Sequence, residues 1–157
     1  MTQPCVICSG IEGDKILSRV EVWRDNLWRL TVSLDAEVLG FAYLEPIRHV
    51  ANICVLDGQE AASFGTTIAK VSQALKAATG AELVYVYIFG DGVAHLHVHL
   101  APHRPGDALN SQMIRGEIVS EKMPEGFERF FSRDFPALPE AEQRRVAGIV
   151  RHRLSGL

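Results

Sequence analysis

His95-Leu96-His97-Val98-His99-Leu100-Ala101 sets three histidines in strict alternation with apolar residues. Successive side chains of a β-strand point to opposite faces. The segment therefore predicts a strand with His95, His97 and His99 on one face and Leu96, Val98 and Leu100 on the other. Such a row is a costly way to build an ordinary core, because each ring must be desolvated beside another titratable ring. Side by side on one surface, three imidazoles can bind a metal, meet phosphate oxygens, or supply a nucleophile and its helpers.

The neighbouring sequence gives this strand its partners. Leu83-Val84-Tyr85-Val86-Tyr87-Ile88-Phe89 is β-branched and aromatic and reads as a strand. It turns through Gly90-Asp91-Gly92 into the histidine segment, which makes the pair a hairpin. Further upstream, residues 15–25 alternate and Leu27 to Val32 follow the turn at Asp25-Asn26, a second hairpin. Leu39 to Leu44 is a further strand, closed by Pro46. Asp57 and Glu60 have the spacing of a capping box. Ala61, Phe64, Ile68, Val71, Leu75 and Ala78 then recur at helical spacing up to a Gly80 stop. Beyond Pro102 the pattern is irregular until Pro139, where Val146, Ile149, Val150 and Leu154 predict a terminal helix over about 139–154. Phe127, Phe130, Phe131 and Phe135 in that tail suit either core packing or a subunit contact. The order predicts one α+β domain over residues 1–157, with a largely antiparallel sheet of about five strands and two main helices.

Composition narrows the function classes. The 157 residues are 47% hydrophobic and 22% charged, with a net charge of −3, so nothing draws the chain to nucleic acid in bulk. The start has neither a basic nor an apolar export region, and no apolar run approaches the roughly 18 residues of a membrane span. These features predict a cytoplasmic protein. Three cysteines, an odd number, point to free or metal-bound thiolates rather than a disulfide framework. Cys54, in an apolar run, reads as a small buried hydrophobe. Cys5-x-x-Cys8 supplies two thiolates, half of a tetrahedral site.

Three chemistries suit the histidine strand. A neutral imidazole can attack phosphorus while its neighbours and nearby amides stabilise the phosphoryl oxygens. H-x-H can present two ligands of a catalytic metal. The rings can also be structural. No Asp or Glu follows at short spacing to complete a catalytic metal site, and the next residues, Pro102-His103-Arg104, form a basic turn suited to phosphate. The first reading fits best.

Residues 95–101 match at every position the signature of the histidine triad family, H-φ-H-φ-H-φ-φ with φ apolar, and the chain resembles that family over about residues 5–105. Gly40 to Val50 is similar to the family strand that ends in Pro-x-Arg-His, here Pro46-Ile47-Arg48-His49. The tail from 106 to 157 lies outside the resemblance. The resemblance implies a homodimeric nucleotide hydrolase or transferase working through a covalent nucleotidyl-histidine. His97 would be the nucleophile, with His99 supporting it and contacting phosphate. Dinucleoside polyphosphates or nucleoside phosphoramidates would be the substrates, with AMP released. A nucleotidyltransferase or phosphorylase, or a zinc-stabilised nucleotide-binding module, are the alternatives. The family's zinc-bearing branch and the related uridylyltransferases imply a structural zinc held by Cys5, Cys8, His49 and His95. Trp28, Phe41 and Tyr43 fall where the family forms its base pocket, although core packing also explains each. The chain departs from the family just before the triad. Gly90-Asp91-Gly92 replaces a Gly-Gln-Ser/Thr run, and Tyr85 or Tyr87 lies where an asparagine is usual. Backbone amides of that turn could cradle phosphate instead. His103 or Arg104 would take the phosphate role of the family's Pro-Arg.

Overall fold

The computed structural model describes residues 4–110, 113–114 and 117–156. Strands β1 (Arg19–Arg24), β2 (Trp28–Ser33), β3 (Ala42–Pro46), β4 (Leu83–Tyr87) and β5 (Val98–His103) form one sheet in the order β1-β2-β3-β5-β4. Every pairing is antiparallel. Helix α1 (Gly10–Ile16) precedes the sheet, α2 (Gly58–Thr79) joins β3 to β4, and α3 (Glu140–Ser155) ends the chain. The α+β architecture, with five main strands and two long helices, agrees with the sequence pattern.

The pleat divides the sheet into two chemically different faces. Trp28, Leu30, Val32, Ala42, Leu44, Val98 and Leu100 form the main core with Val71 and Leu75 of α2 and Val146 and Val150 of α3. The opposite face carries Thr31, Tyr43 and His99 in register, with Tyr87 beyond. Along α2 the buried stripe runs as predicted from Phe64 through Val71 and Leu75, but Ala61 lies outside it and is exposed. Gly80 ends the helix in the left-handed conformation, φ 70°, with its amide donating to Lys76 at 3.0 Å.

Several local expectations need correction. Lys15 and Ile16 belong to α1, and β1 begins only at Arg19, after a left-handed Ser18. The capping box does not form. Asp57 stands at the N-cap without a side-chain cap bond, because its carboxylate and that of Glu60 both accept from Arg48. Cys54 is exposed rather than buried, in a short 3-10 turn. The tail is more regular than its sequence suggests. It forms two small hairpins, β6 (Leu109–Asn110) with β7 (Met113–Ile114), and β8 (Ile118–Lys122) with β9 (Glu128–Ser132). Of its phenylalanines, Phe127 is buried and Phe135 packs on a smaller cluster around Phe41, Ala101 and Leu109, while Phe130 and Phe131 are exposed.

The histidine face also holds a closed ring of buried charge. Arg19 Nε donates to Asp14 at 2.8 Å, and its two terminal nitrogens donate to Glu45 at 3.0 and 2.7 Å. Arg29 completes the ring, donating to Glu45 at 3.1 Å and to the other oxygen of Asp14. The four side chains are 8% exposed or less, and their charges cancel. Asp14 lies on α1, so the ring ties that helix to three strands. A buried charge that loses its partner is far more costly than an exposed one. Glu45→Ala leaves two buried guanidiniums to share the single carboxylate of Asp14, with Glu21 reaching only Arg29 at 3.3 Å. The substitution is expected to lower the unfolding free energy at pH 7 by about 3–5 kcal/mol, read from urea denaturation. A loss under about 1 kcal/mol would mean that the ring does not hold α1 in place.

Candidate metal and histidine site

The ladder of β5 starts at Val98, three residues later than the alternation predicts. The β3–β5 register would set Pro46 opposite Leu96, and proline has no N–H to offer. The Leu96 amide instead donates to the Val50 carbonyl at 2.7 Å. Alternation survives this shift, since Leu96, Val98 and Leu100 all enter the main core while the histidines turn the other way. The three rings nonetheless divide between two sites.

His95 is fully buried and belongs to a four-residue cluster. The Pro46 carbonyl only accepts, so His95 Nε2 carries the proton and donates to it at 2.9 Å. That leaves the bare Nδ1 facing Cys5 Sγ and Cys8 Sγ, each at 3.4 Å. Cys8 Sγ is also 3.4 Å from His49 Nδ1. All four ligand atoms lie within 4.8 Å of one another. Zinc–sulfur and zinc–nitrogen bonds of about 2.3 and 2.0–2.1 Å, set tetrahedrally, separate S from N by about 3.5 Å. The three S–N pairs at 3.4 Å have that spacing, and a carbonyl orienting the ligating imidazole is the usual outer-shell support. The donor set fits a closed, structural zinc site on Cys5, Cys8, His49 and His95.

His97 and His99 form the second site. His97 Nδ1 lies 2.7 Å from the His95 carbonyl oxygen. A carbonyl only accepts, so Nδ1 carries the proton and Nε2, the distal nitrogen, keeps its lone pair. Burial holds His97 below the usual imidazole pKa, opposed by that hydrogen bond and aided by the Arg19 charge. The His99 ring is 5.1 Å from His97, stacks on Tyr87 at 4.8 Å, and meets Tyr43, Phe89 and Phe41 at 5.3, 5.4 and 6.1 Å. The aromatic surroundings of His99 could not be read from the motif, because Tyr87 and Phe89 come from the neighbouring strand and the loop after it.

The other predicted residues separate. Phe41 and Tyr43 do reach the histidine face. Trp28 does not. It lies fully buried on the helix side of the sheet, where Nε1 donates to Ser63 Oγ at 2.9 Å, so its register excludes it from a pocket beside the triad. Gly90-Asp91-Gly92 lies in the loop that leads into His95, with Gly90 at φ +108°, a conformation few other residues adopt. His103 stacks on Tyr85 at 4.8 Å and pairs with Asp107 at 2.9 Å. Arg104 turns to the Thr79 carbonyl at the end of α2, in a cleft of about 460 Å³ whose lining includes none of the triad histidines. Arg104 is therefore engaged away from His97.

Burial, with His97 adding to it, pushes the His99 pKa down to about 3. An unfolded histidine titrates near 6.5. Between those values the unfolded chain binds a proton that the folded chain refuses, so stability falls as the pH drops through that window. Unfolding free energies from urea denaturation are expected to fall more steeply in the parent than in His99→Asn between about pH 6 and 4, by up to about 1.4 kcal/mol per unit. Parallel slopes would contradict the assignment.

No protein-family model matches the chain, and no curated protein matches it in sequence. Solved structures do match. A hypothetical histidine triad nucleotide-binding protein from Sulfolobus tokodaii superposes with a TM-score of 0.67 at 21% identity, covering 98% of this chain and 93% of that one. A zinc-bound histidine triad family protein from Mycobacterium smegmatis gives 0.64 at 16% identity, over 98% and 97%. A histidine triad protein from Marinobacter aquaeolei gives 0.67 at 16%, over 91% and 95%. With the alternating signature leading into the central strand β5, the chain has the fold of the histidine triad proteins.

Proposed function

We propose that the chain is a histidine triad family enzyme that hydrolyses nucleotides at the α-phosphorus, with His97 as nucleophile. The observation that carries this reading is the 2.7 Å bond from His97 Nδ1 to the His95 carbonyl, which leaves Nε2 as the free base. Nε2 attacks the α-phosphorus, an N–P bond forms, and the bond to the leaving group breaks: a P–O bond releases a polyphosphate anion, and a P–N bond releases an amine that takes a proton from solvent. Water then attacks the same phosphorus, the N–P bond breaks, AMP leaves and the water's proton passes to solvent. Throughout both steps Nδ1 keeps its proton against the His95 carbonyl, which steadies positive charge on the ring.

The pairings of His103 and Arg104 remove them from phosphate binding in this reading. His99 and the backbone amides of Gly90-Asp91-Gly92 take that role, with Phe41 and Tyr43 lining the nucleotide side. The Cys5, Cys8, His49 and His95 cluster holds zinc, which crosslinks the N-terminal segment to the sheet and takes no part in the reaction.

The test is AMP release from diadenosine tetraphosphate and adenosine phosphoramidate by the parent and by His97→Ala. The expected result is turnover by the parent and a loss of at least about a thousandfold in a folded variant. Equal turnover in both would overturn the mechanism. Elemental analysis is expected to find one zinc per chain in the parent and in His97→Ala, and none in Cys5→Ser/Cys8→Ser. Zinc retained without both thiolates would contradict the ligand set.

A further inference from the structure

Helix α1 joins the cysteine cluster to the buried ring of charge. Cys5 and Cys8 lie in the turn before it, where the Cys8 amide donates to Cys5 Sγ at 3.5 Å and Ser9 Oγ donates to the Cys5 carbonyl at 3.0 Å. That turn seats directly on the helix. A Cβ at Gly13 would overlap the carbonyl oxygen of Val6, so only a residue without a side chain lets the segment between the two cysteines settle there. Gly13 is buried in that contact, and Val6 and Ile7 are buried with it. The next residue, Asp14, is the member of the ring that α1 supplies, accepting from Arg19 at 2.8 Å and from Arg29. The cluster and the ring meet again on β3. Glu45, which takes both guanidiniums, precedes Pro46, whose carbonyl accepts from His95 Nε2 at 2.9 Å. The contacts thus close a circuit from the thiols through Gly13, Asp14, the two arginines, Glu45 and Pro46 to His95, which faces the thiols at 3.4 Å.

We propose that Gly13 and Asp14 are positioning residues of the metal centre, so that the charge ring and the zinc cluster form one latch and residues 5–16 are held or released as a unit. This rests on the zinc reading above and adds to it two residues that touch no metal. Asp14 holds α1 on the sheet, and Gly13 lets the cysteine turn seat on α1, so the ring keeps both thiols beside His95. A ligand binds more tightly the larger the fraction of chains already in the competent arrangement. By reciprocity, zinc holds Asp14 in the ring. When α1 leaves, the buried guanidiniums of Arg19 and Arg29 keep Glu45, with Glu21 reaching only Arg29 at 3.3 Å. The ring then carries an excess positive charge, which opposes release while the metal is bound.

Competition for zinc against a chromophoric chelator at pH 7, with the full chain, tests the latch. Gly13→Ala and Asp14→Asn are each expected to weaken zinc binding by about tenfold or more. Two controls are expected to stay within about twofold. Glu12→Gln changes an exposed residue of α1 that pairs only with Lys15, and Leu75→Ala weakens the main core across the sheet. Hydrogen exchange of the parent needs no variant to fold. Once zinc is stripped, amides of residues 10–16 are expected to lose protection while those of α2 keep theirs. Unchanged zinc affinity in both α1 variants, or an α1 equally protected with and without zinc, would overturn the latch while the zinc reading stands. So would an equal weakening in Leu75→Ala, or protection lost throughout α2 as well, since either makes the effect one of general stability. If the parent binds no zinc, both readings fall together.

Discussion

The pleat between β3 and β5 is the constraint on which the rest depends. Tyr43 pairs with His99 while Leu44 pairs with Val98, so one register fixes both the core and the site. A slip of one residue would send the histidines into the helices and Leu96, Val98 and Leu100 onto the opposite face. The main core blocks that slip, because those three residues pack among side chains of α2 and α3. Hydrophobic burial therefore holds the imidazoles in their row.

Within that row, hydrogen bonds assign different tasks to chemically identical rings. His95 donates from Nε2 to Pro46 and presents Nδ1 to two thiols. His97 donates from Nδ1 to the His95 carbonyl and presents Nε2. The two tautomers are opposite, and the backbone sets both. The ring that faces the cysteines and the ring that is free to react are thus fixed in sequence, since the carbonyl that orients His97 belongs to His95.

Much of this was legible in the chain, for identifiable reasons. Alternation at 95–101 and apolar spacing along 64–75 are periodic signals, and both faces they predicted are present. The metal cluster was legible only through family resemblance, because Cys5, His49 and His95 are far apart in sequence and meet only through the topology. Asp57 and Glu60 misled because Arg48, nine residues before Asp57, takes both carboxylates. Trp28 misled because aromatic character does not report the face on which a strand residue lies, and its register put it in the core. The ring of Asp14, Arg19, Arg29 and Glu45 left no trace in the sequence. Its members read as ordinary surface charges until α1 brings Asp14 onto the sheet. The β8–β9 hairpin was missed for a related reason, since the residues that hold it, Asp35 and Glu37, belong to a loop far from it in sequence.

The central claim is that the free Nε2 of His97 becomes covalently nucleotidylated. The most direct measurement is the intact mass of the full-length protein, mixed briefly with adenosine phosphoramidate and quenched in base, followed by peptide mapping. The account predicts a mass increase of one adenylyl group, mapped to His97 and absent from His97→Ala. An adenylyl group mapped to another residue, or AMP released by the parent without any adduct in a quench series that resolves a single turnover, would contradict it.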